Sequence, residues 1–158
     1  MSKKIRFWLV KSEPAGFSFD DLLDSPGRTT LWDGVRNYEA RNFMREMTTG
    51  DGVVFYHSSS RPPGAVGAAE IVREAYPDPS QFDPMSRYYD EASSQDEPRW
   101  LAVDIRAVEK FGRVVSLQEM KGEPALKDMK LLQRGNRLSV MPVEKGAFER
   151  IIEIARTA

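Results

Sequence analysis

Apolar runs of strand length, separated at irregular intervals by short helical patterns, limit the fold of this chain more than any other feature. The runs lie at residues 7–10, 53–57, 99–111 and 137–143, and they are rich in the aromatic and β-branched side chains that strands favour. Helical patterns do not follow each strand in turn, as they would in a doubly wound parallel sheet. The order predicts an α+β domain in which about five to six strands curl into a small β-barrel, with short helices packed outside.

Local signals mark the helix starts and the turns. Ser18 precedes acidic residues and is predicted as an N-cap, a second helix is predicted from about Asn37, and Ser116 with Glu119 forms a capping-box pattern. Residues 65–76 are predicted as the hairpin partner of the strand at 53–57. The segment 77–98 carries four prolines and no clear periodicity, which is typical of a functional or a disordered loop; its aromatic residues favour order.

Length and composition support one domain over residues 1–158, because 158 residues with 41% hydrophobic content supply one core. No run approaches the roughly 18 apolar residues that cross a bilayer, and the amino-terminal residues lack a secretion signal. We therefore expect a cytoplasmic protein, a monomer, with no membrane partner. The net charge is -1, so a polyanion has to be met by a local patch of cations.

The set of reactive side chains excludes much enzyme chemistry. The chain has no cysteine, which removes disulfides and thiolate nucleophiles, and its single histidine, His57, cannot build a multi-histidine metal site. Three serines follow His57, but neighbouring residues of a strand point in opposite directions, and no G-x-S-x-G elbow accompanies them. We predict no catalytic residue, no metal site and no cofactor, and therefore a protein that is not an enzyme.

Polar side chains gather where two predicted strands end. A bound planar heterocycle needs flat aromatic walls and a few hydrogen-bonding groups at its edge, and both kinds of residue are present here. The predicted ligand-binding residues are Trp32, Tyr56 and Trp100 as walls, and Lys11, Ser12, Asn37, His57 and Ser58 as polar contacts. We expect Trp32, Tyr56 and His57 to line one concave site, with the Trp32 indole partly open to solvent.

Each of these residues also has a purely structural interpretation. The aromatic residues are of the kind that fill a core, and a buried tyrosine commonly bonds its hydroxyl to backbone. Phosphate contacts would fall to Lys11 or to the helix arginines Arg36, Arg41 and Arg45. The same helix carries two glutamates, so a solvated, salt-bridged face is equally consistent with the pattern.

Seven ordered blocks carry a resemblance to a known family: FWLVKSEP, LWDGVRNYEARNFMREM, GDGVVFYHSS, PGAVGAAEIV, AYPDPSQFDP, PRWLAVDI and RLSVMPV. Together they resemble an EVE domain, over nearly the whole chain. The resemblance implies a PUA-like β-barrel related to the YTH domains, which read N6-methyladenine in RNA. It also implies a pocket for a modified base, in which Lys11 and Ser12 match the end of the first strand and Trp32 matches a cage-wall tryptophan. Residues 56–58 match the end of the second strand.

Two functions of different classes remain open from the sequence. The first is a noncatalytic nucleic-acid-binding domain that recognises a modified cytosine or adenine, in DNA or RNA, within an aromatic pocket. The second is a small-molecule sensor, or an enzyme, that uses the same pocket for a nucleoside-like heterocycle. Only the first requires phosphates, so its affinity falls with salt and depends on a polynucleotide.

Overall fold

A computed structural model describes residues 4–157 and shows six strands and four α-helices in that range. The strands are β1 (Phe7–Ser12), β2 (Thr29–Trp32), β3 (Gly52–His57), β4 (Gly64–Pro77), β5 (Leu101–Ser116) and β6 (Val140–Val143). The helices are α1 (Phe19–Asp24), α2 (Tyr38–Glu46), α3 (Leu117–Lys121) and α4 (Lys145–Ala155). Residues 1–3 and 158 of the predicted domain lie outside the described range. Within that range, no helix combines the length and the apolar character needed to span a bilayer.

The six strands form one mixed sheet in the order β2-β5-β4-β3-β1-β6. β1 and β3 run parallel, and the other neighbours are antiparallel. Hydrogen bonds do not close the sheet, but it curls strongly. Trp32 of β2 and Phe55 of β3 are three strand spacings apart, about 14 Å in a flat sheet, yet their ring centroids lie 5.4 Å apart. The prediction of a curled α+β domain with up to six strands and outer helices is confirmed.

The two longest strands, β4 and β5, allow this curl because their pairing shifts register at several points. Such bulges bend a strand and increase its twist. Gly67 of β4 lies on the inner side of the bend, where an added Cβ would come within 2.5 Å of the Phe19 ring. The lack of a side chain at this position lets α1 pack directly against the sheet.

Helices cover both faces of the sheet. α1 and α2 lie on the concave face, where the Phe43 ring of α2 packs 6.2 Å from the Trp8 ring of β1. α4 lies on the convex face, where Phe148 packs 4.4 Å from Phe7. Phe7 and Trp8 are adjacent in β1 and therefore point to opposite faces. One short strand thus supplies an aromatic residue to each of the two helical layers.

The predicted helix starts are confirmed. Ser18 accepts a hydrogen bond from the Asp21 amide at 3.0 Å, and the Asp21 carboxylate accepts from the Ser18 amide at 2.9 Å, which completes a capping box. Asn37 caps α2 and Ser116 caps α3, each through a side-chain oxygen that accepts from the amide three residues later. The capping box predicted at Ser116 is not completed, because Arg113 donates to both carboxylate oxygens of Glu119. The caps themselves lie within one helical turn, so tertiary packing did not alter them.

A buried carboxylate ties the start of β1 to the start of β3. Asp51 is fully buried and accepts hydrogen bonds from the Arg6 amide at 3.1 Å and from the indole of Trp8 at 2.9 Å. It also accepts from the amide and the hydroxyl of Thr48, both at 3.0 Å. A buried charge requires such partners, and here they connect two segments that are distant in sequence. The junction therefore fixes the register of the parallel strand pair.

Candidate functional site

The parallel pairing of β1 and β3 brings three predicted residues together at one edge of the sheet. Ser12 lies opposite His57, and the Ser58 amide donates to the Ser12 carbonyl at 2.9 Å. The Ser12 hydroxyl donates to the carbonyl of Phe17, in the loop before α1. We call Ser12, His57 and Ser58 the strand-end cluster. The two polar stretches of the sequence are thus neighbours in space.

His57 is held as a neutral ring. Its Nε2 accepts a hydrogen bond from the Phe19 amide at 3.1 Å, so the ring proton sits on Nδ1. Burial lowers the pKa of His57 below its ordinary value of about 6.5, and the negative charge of Asp20 opposes that shift. At neutral pH the side chain therefore carries no charge and offers one N–H donor.

Trp32 lies on the concave face and is connected to the strand-end cluster through phenylalanine rings. Its ring centroid is 6.3 Å from that of Phe17 and 5.4 Å from that of Phe55, both edge to face. The Phe55 ring lies 5.8 Å from the His57 ring. Trp32 is only 9% exposed. The expectation of a partly open indole is therefore wrong, because the curl of the sheet closes Phe17 and Phe55 onto it.

Tyr56 and Lys11 lie on the opposite, convex face. They are partners in the β1–β3 register, one position out of step with Ser12 and His57. The Lys11 Nζ lies 6.0 Å from the centre of the Tyr56 ring. Burial raises the pKa of Tyr56 and lowers that of Lys11. Since side chains alternate along β3, the structure does not place Tyr56 in one concave site with Trp32 and His57, as the sequence analysis expected.

Asn37 and Trp100 belong to a separate group at the start of α2, where Asn37 uses its side-chain oxygen as the helix cap. Trp100 stacks on Tyr38 with ring centroids 4.8 Å apart, and its indole N–H donates to Asp90 at 2.7 Å. That hydrogen bond lowers the pKa of the Asp90 carboxyl. Trp100 is 6% exposed, so it anchors the loop at 77–98 against α2.

Arg36 holds the same loop in place, and its guanidinium is hydrogen-bonded to residues of that loop. Its guanidinium donates to Asp78 at 3.0 Å, to Ser80 at 3.1 Å and to the Tyr88 carbonyl at 2.7 Å. Asp78 is fully buried, and its carboxylate also accepts from the Gly34 amide at 2.9 Å. The loop is therefore ordered, as its aromatic content favoured. Arg36 acts as a structural residue here, which removes one of the arginines considered for phosphate contact.

A basic concavity adjoins the start of α2, and sequence reasoning missed it. Lys130, Arg134 and Arg137 line a volume of about 340 Å³, together with Asn37, Glu39, Gln133 and Asn136. Within residues 4–157 these three cations form no salt bridge. The available signal was local, because three cations fall within the eight residues 130–137. What the sequence lacked was any indication that this segment folds beside Asn37.

The basic concavity lies next to the strand-end cluster. Leu138 belongs to its lining, and the following residue, Ser139, accepts a hydrogen bond from the Lys11 amide at 2.8 Å. Lys11 immediately precedes Ser12 in β1. Polar strand ends and the three cations of the basic concavity therefore share one end of the sheet.

A second concavity, also of about 340 Å³, opens at His57. Its lining is largely apolar and includes Phe19, Val66, Phe111 and Val114. Lys110 and Asp20 form an ion pair of 2.7 Å at its rim. A larger concavity of about 700 Å³ lies between the start of β1 and the start of α4, and it contains none of the predicted site residues.

The curled sheet, with helices on both faces and polar strand ends, defines a PUA-like domain. The YTH domain of the Zygosaccharomyces rouxii MRB1 protein, solved with N6-methyladenosine RNA, shares this fold at a TM-score of 0.57 and 15% identity. That similarity covers 98% of this chain and 88% of the other. More narrowly, this chain belongs to the EVE domain family, whose model matches residues 6–154. The resemblance found in the sequence blocks is confirmed.

Several relatives match over most of both chains. Thymocyte nuclear protein 1 of Mus musculus is 42% identical over 96% of this chain and 74% of its own length. A Pseudomonas syringae protein is 45% identical at a TM-score of 0.90, over 94% of this chain and 99% of that one. Human THYN1, solved in complex with DNA that contains 5-methylcytosine, is 40% identical at a TM-score of 0.89, over 97% and 99%. The expectation of a cytoplasmic protein is wrong by this comparison, because these curated relatives are named nuclear proteins.

Proposed function

We propose that this EVE-domain chain is a noncatalytic nucleic-acid-binding domain that recognises a methylated or otherwise modified base. The observation that carries the proposal is the human THYN1 protein, 40% identical and with a TM-score of 0.89, solved in complex with 5-methylcytosine-containing DNA. Two features of this chain support a similar role: hydrogen-bonding groups at one sheet edge, and a basic concavity beside them. The base is a modified cytosine or adenine, carried by DNA or RNA.

The base binds at the strand-end cluster, with Trp32 as its aromatic wall. The hydroxyls of Ser12 and Ser58 and the Nδ1–H of neutral His57 supply donors and acceptors for the base edge. Because Phe17 covers Trp32 in the free chain, a base that stacks on the indole takes the place of the Phe17 ring. Phe17 is only partly buried and lies in a loop, so its displacement costs less than opening the core.

The remaining predicted residues support this site from outside it. Tyr56 and Lys11 stabilise the convex side of β3 and β1, Asn37 caps α2, and Trp100 holds the loop at 77–98. Their substitution is expected to act on folding before it acts on affinity.

Phosphates bind at the basic concavity. The chain as a whole has a net charge of -1, so attraction to a polyanion has to be concentrated in such a patch. If Lys130, Arg134 and Arg137 each neutralise one phosphate, log affinity falls by about 2–3 for each tenfold rise in salt. A short basic patch of this kind suits about three phosphates next to the recognised base, and not a long track.

The chemistry of the site favours binding without turnover. The single histidine of the chain accepts a hydrogen bond from the Phe19 amide through Nε2, so that nitrogen is not free to take a proton from a serine. The alternative, a sensor for a nucleoside-like heterocycle, is favoured by the apolar concavity at His57, whose volume of about 340 Å³ falls at the small end of ligand pockets.

A salt-dependent binding titration separates the two functions. Single-stranded and duplex oligonucleotides with 5-methylcytosine, N6-methyladenine or no modification are titrated at several salt concentrations, beside the free nucleosides. We expect preference for one modified oligonucleotide and a negative salt slope that Arg137→Gln reduces by about 1. Lys145→Gln, an exposed lysine at the start of α4, is the matched control and leaves the slope unchanged. Equal affinity for a free nucleoside, with no salt slope, would assign the pocket to a small molecule.

A further inference from the structure

An exposed stack of aromatic and guanidinium groups lies at the start of α2. The Arg36 guanidinium lies 5.3 Å from the Trp100 ring centre, Trp100 stacks on Tyr38 at 4.8 Å, and the Arg41 guanidinium lies 4.7 Å from the Tyr38 ring centre. The inner members are held by the loop at 77–98. Tyr38 lies between Trp100 and Arg41 in this stack, and it is still 52% exposed.

The outer part of this stack is fixed in place. Arg41 donates to the Arg99 carbonyl at 3.0 Å and to the Asn42 side chain at 2.8 Å and 3.2 Å. The indole of Trp100 beneath Tyr38 is itself bonded to Asp90. Groups that are already ordered lose little conformational entropy when a ligand lies against them. The surface at Tyr38 and Arg41 is therefore prepared for a flat partner.

The surroundings of Tyr38 indicate what that partner is. Its sequence neighbours Asn37 and Glu39 both line the basic concavity, which places the three cations at the same end of α2 as the ring. Nucleobases stack on aromatic rings and on arginine planes, and their phosphates require nearby cations. A peptide would find no apolar groove at this place, since the ring is flanked by the charged residues Glu39 and Arg41.

We infer that Tyr38 and Arg41 form a stacking platform for a nucleobase that neighbours the recognised base on the same strand. The inference rests on the proposed function, because it adds a second base contact to the same bound strand. Lys130, Arg134 and Arg137 hold the phosphate between the two bases and those next to it on the strand, and the platform holds the flanking base by its face. Such a contact is independent of base identity, because every base has a π-face.

The test compares a flanking base with its absence. Three probes are used: 5-methyl-deoxycytidine, a single-stranded trinucleotide with 5-methylcytosine at its centre, and the same trinucleotide with abasic flanking positions. The abasic probe keeps all the phosphates and removes only the bases. We expect the parent protein to bind the intact trinucleotide about 5- to 150-fold more tightly than the abasic one, the factor that one stacked base supplies.

Four variants show which residue supplies the tighter binding of the intact trinucleotide. Tyr38→Ala and Tyr38→Leu are expected to lose the preference for the intact trinucleotide, and Tyr38→Phe to keep it. Leucine still covers Trp100, so a folded Tyr38→Leu protein answers the question even if the alanine variant unfolds. Val108→Ala is the control, because the exposed fraction of Val108, 53%, matches the 52% of Tyr38, and Val108 lies on β5 outside the platform. Affinity for the nucleoside is expected to be the same in all folded variants.

The outcomes separate the platform from the base site. If the parent binds intact and abasic trinucleotides equally, or if Tyr38→Leu keeps the full preference, the inference is overturned while selective binding of the modified base still supports the proposed function. The exposed ring would then be left for a protein partner. If no oligonucleotide binds more tightly when modified, the proposed function fails, and the platform fails with it.

Discussion

Replacing Trp32 with alanine is expected to lower the free energy of unfolding by about 3–5 kcal/mol, a loss typical of a buried tryptophan. The residue is 9% exposed, and a large aromatic side chain buries about 150–250 Å², worth roughly 4–6 kcal/mol at about 25 cal/mol per Å² as an upper limit. Edge-to-face contacts with Phe17 and Phe55 add about 0.5–1.5 kcal/mol each, and partial collapse of the cavity offsets some of the total.

Thermal and urea unfolding measure this loss. At about 2–4 °C per kcal/mol for a chain of this size, the melting temperature of Trp32→Ala is expected to fall by roughly 6–20 °C. Leu31→Ala is the matched control, because Leu31 is the adjacent residue of β2, points to the other side and is 39% exposed. We expect that control to stay within about 1 kcal/mol of the parent.

Because Trp32→Ala is expected to destabilise the fold, the binding role of Trp32 is tested with Trp32→Phe. Trp32→Phe keeps an aromatic ring against Phe17 and Phe55, so it is expected to remain folded and to show weaker stacking of the modified base. If Trp32→Ala melts together with Leu31→Ala, the indole is not part of the core, and the closed arrangement around it is refuted. If Trp32→Phe binds like the parent, the indole is not the wall of the base site.

Three further substitutions test the network around the site. His57→Gln keeps an acceptor for the Phe19 amide and removes the titrating group. Because the folded pKa of His57 lies below its ordinary value of about 6.5, the parent loses stability as pH falls through and below that value. We expect the melting temperature of the variant to change less between pH 7 and pH 5 than that of the parent. Equal pH slopes would show that His57 does not set the dependence. Gly34→Ala places a Cβ within 2.6 Å of the Tyr88 ring at a φ of +77°. We expect a lower melting temperature and cleavage of the loop at 77–98 by protease. An unchanged digestion pattern would count against the contact. Asp51→Asn replaces one acceptor oxygen with an amide donor that faces other donors, and it should cost about 1–3 kcal/mol in urea unfolding. A loss below about 0.5 kcal/mol would contradict the role given to this carboxylate.

Local features of the fold were predictable because their causes lie within a few residues. The caps at Ser18, Asn37 and Ser116 act within one helical turn, and the strands are marked by their own composition. The pairing of β1 with β3 carries no such signal, because parallel strands are joined by a long connection with no turn motif. The curl of the sheet was expected from the order of elements, but not which rings it would bring together.

The site was only partly predictable for the same reason. Alternation along a strand already separates Tyr56 from His57, and applying that rule to both residues would have removed Tyr56 from the concave site. The burial of Trp32 depends on Phe17 and Phe55, which approach it only after the sheet folds over. Arg36 and Trp100 owe their roles to a loop whose path has no periodic pattern.

β1 leaves the ribosome first among the strands, yet its place in the sheet is completed last. It lies between β3 and β6, and β6 is the last of the six described strands along the sequence. During most of synthesis the nascent chain therefore carries an apolar strand with at least one bare edge, the kind of segment that chaperones cover and that self-associates when it is left exposed. A chain truncated before Val140 would never supply the second neighbour of β1. Truncation just before β6 is thus expected to send the product to degradation or aggregation, and not to leave a slightly shortened domain.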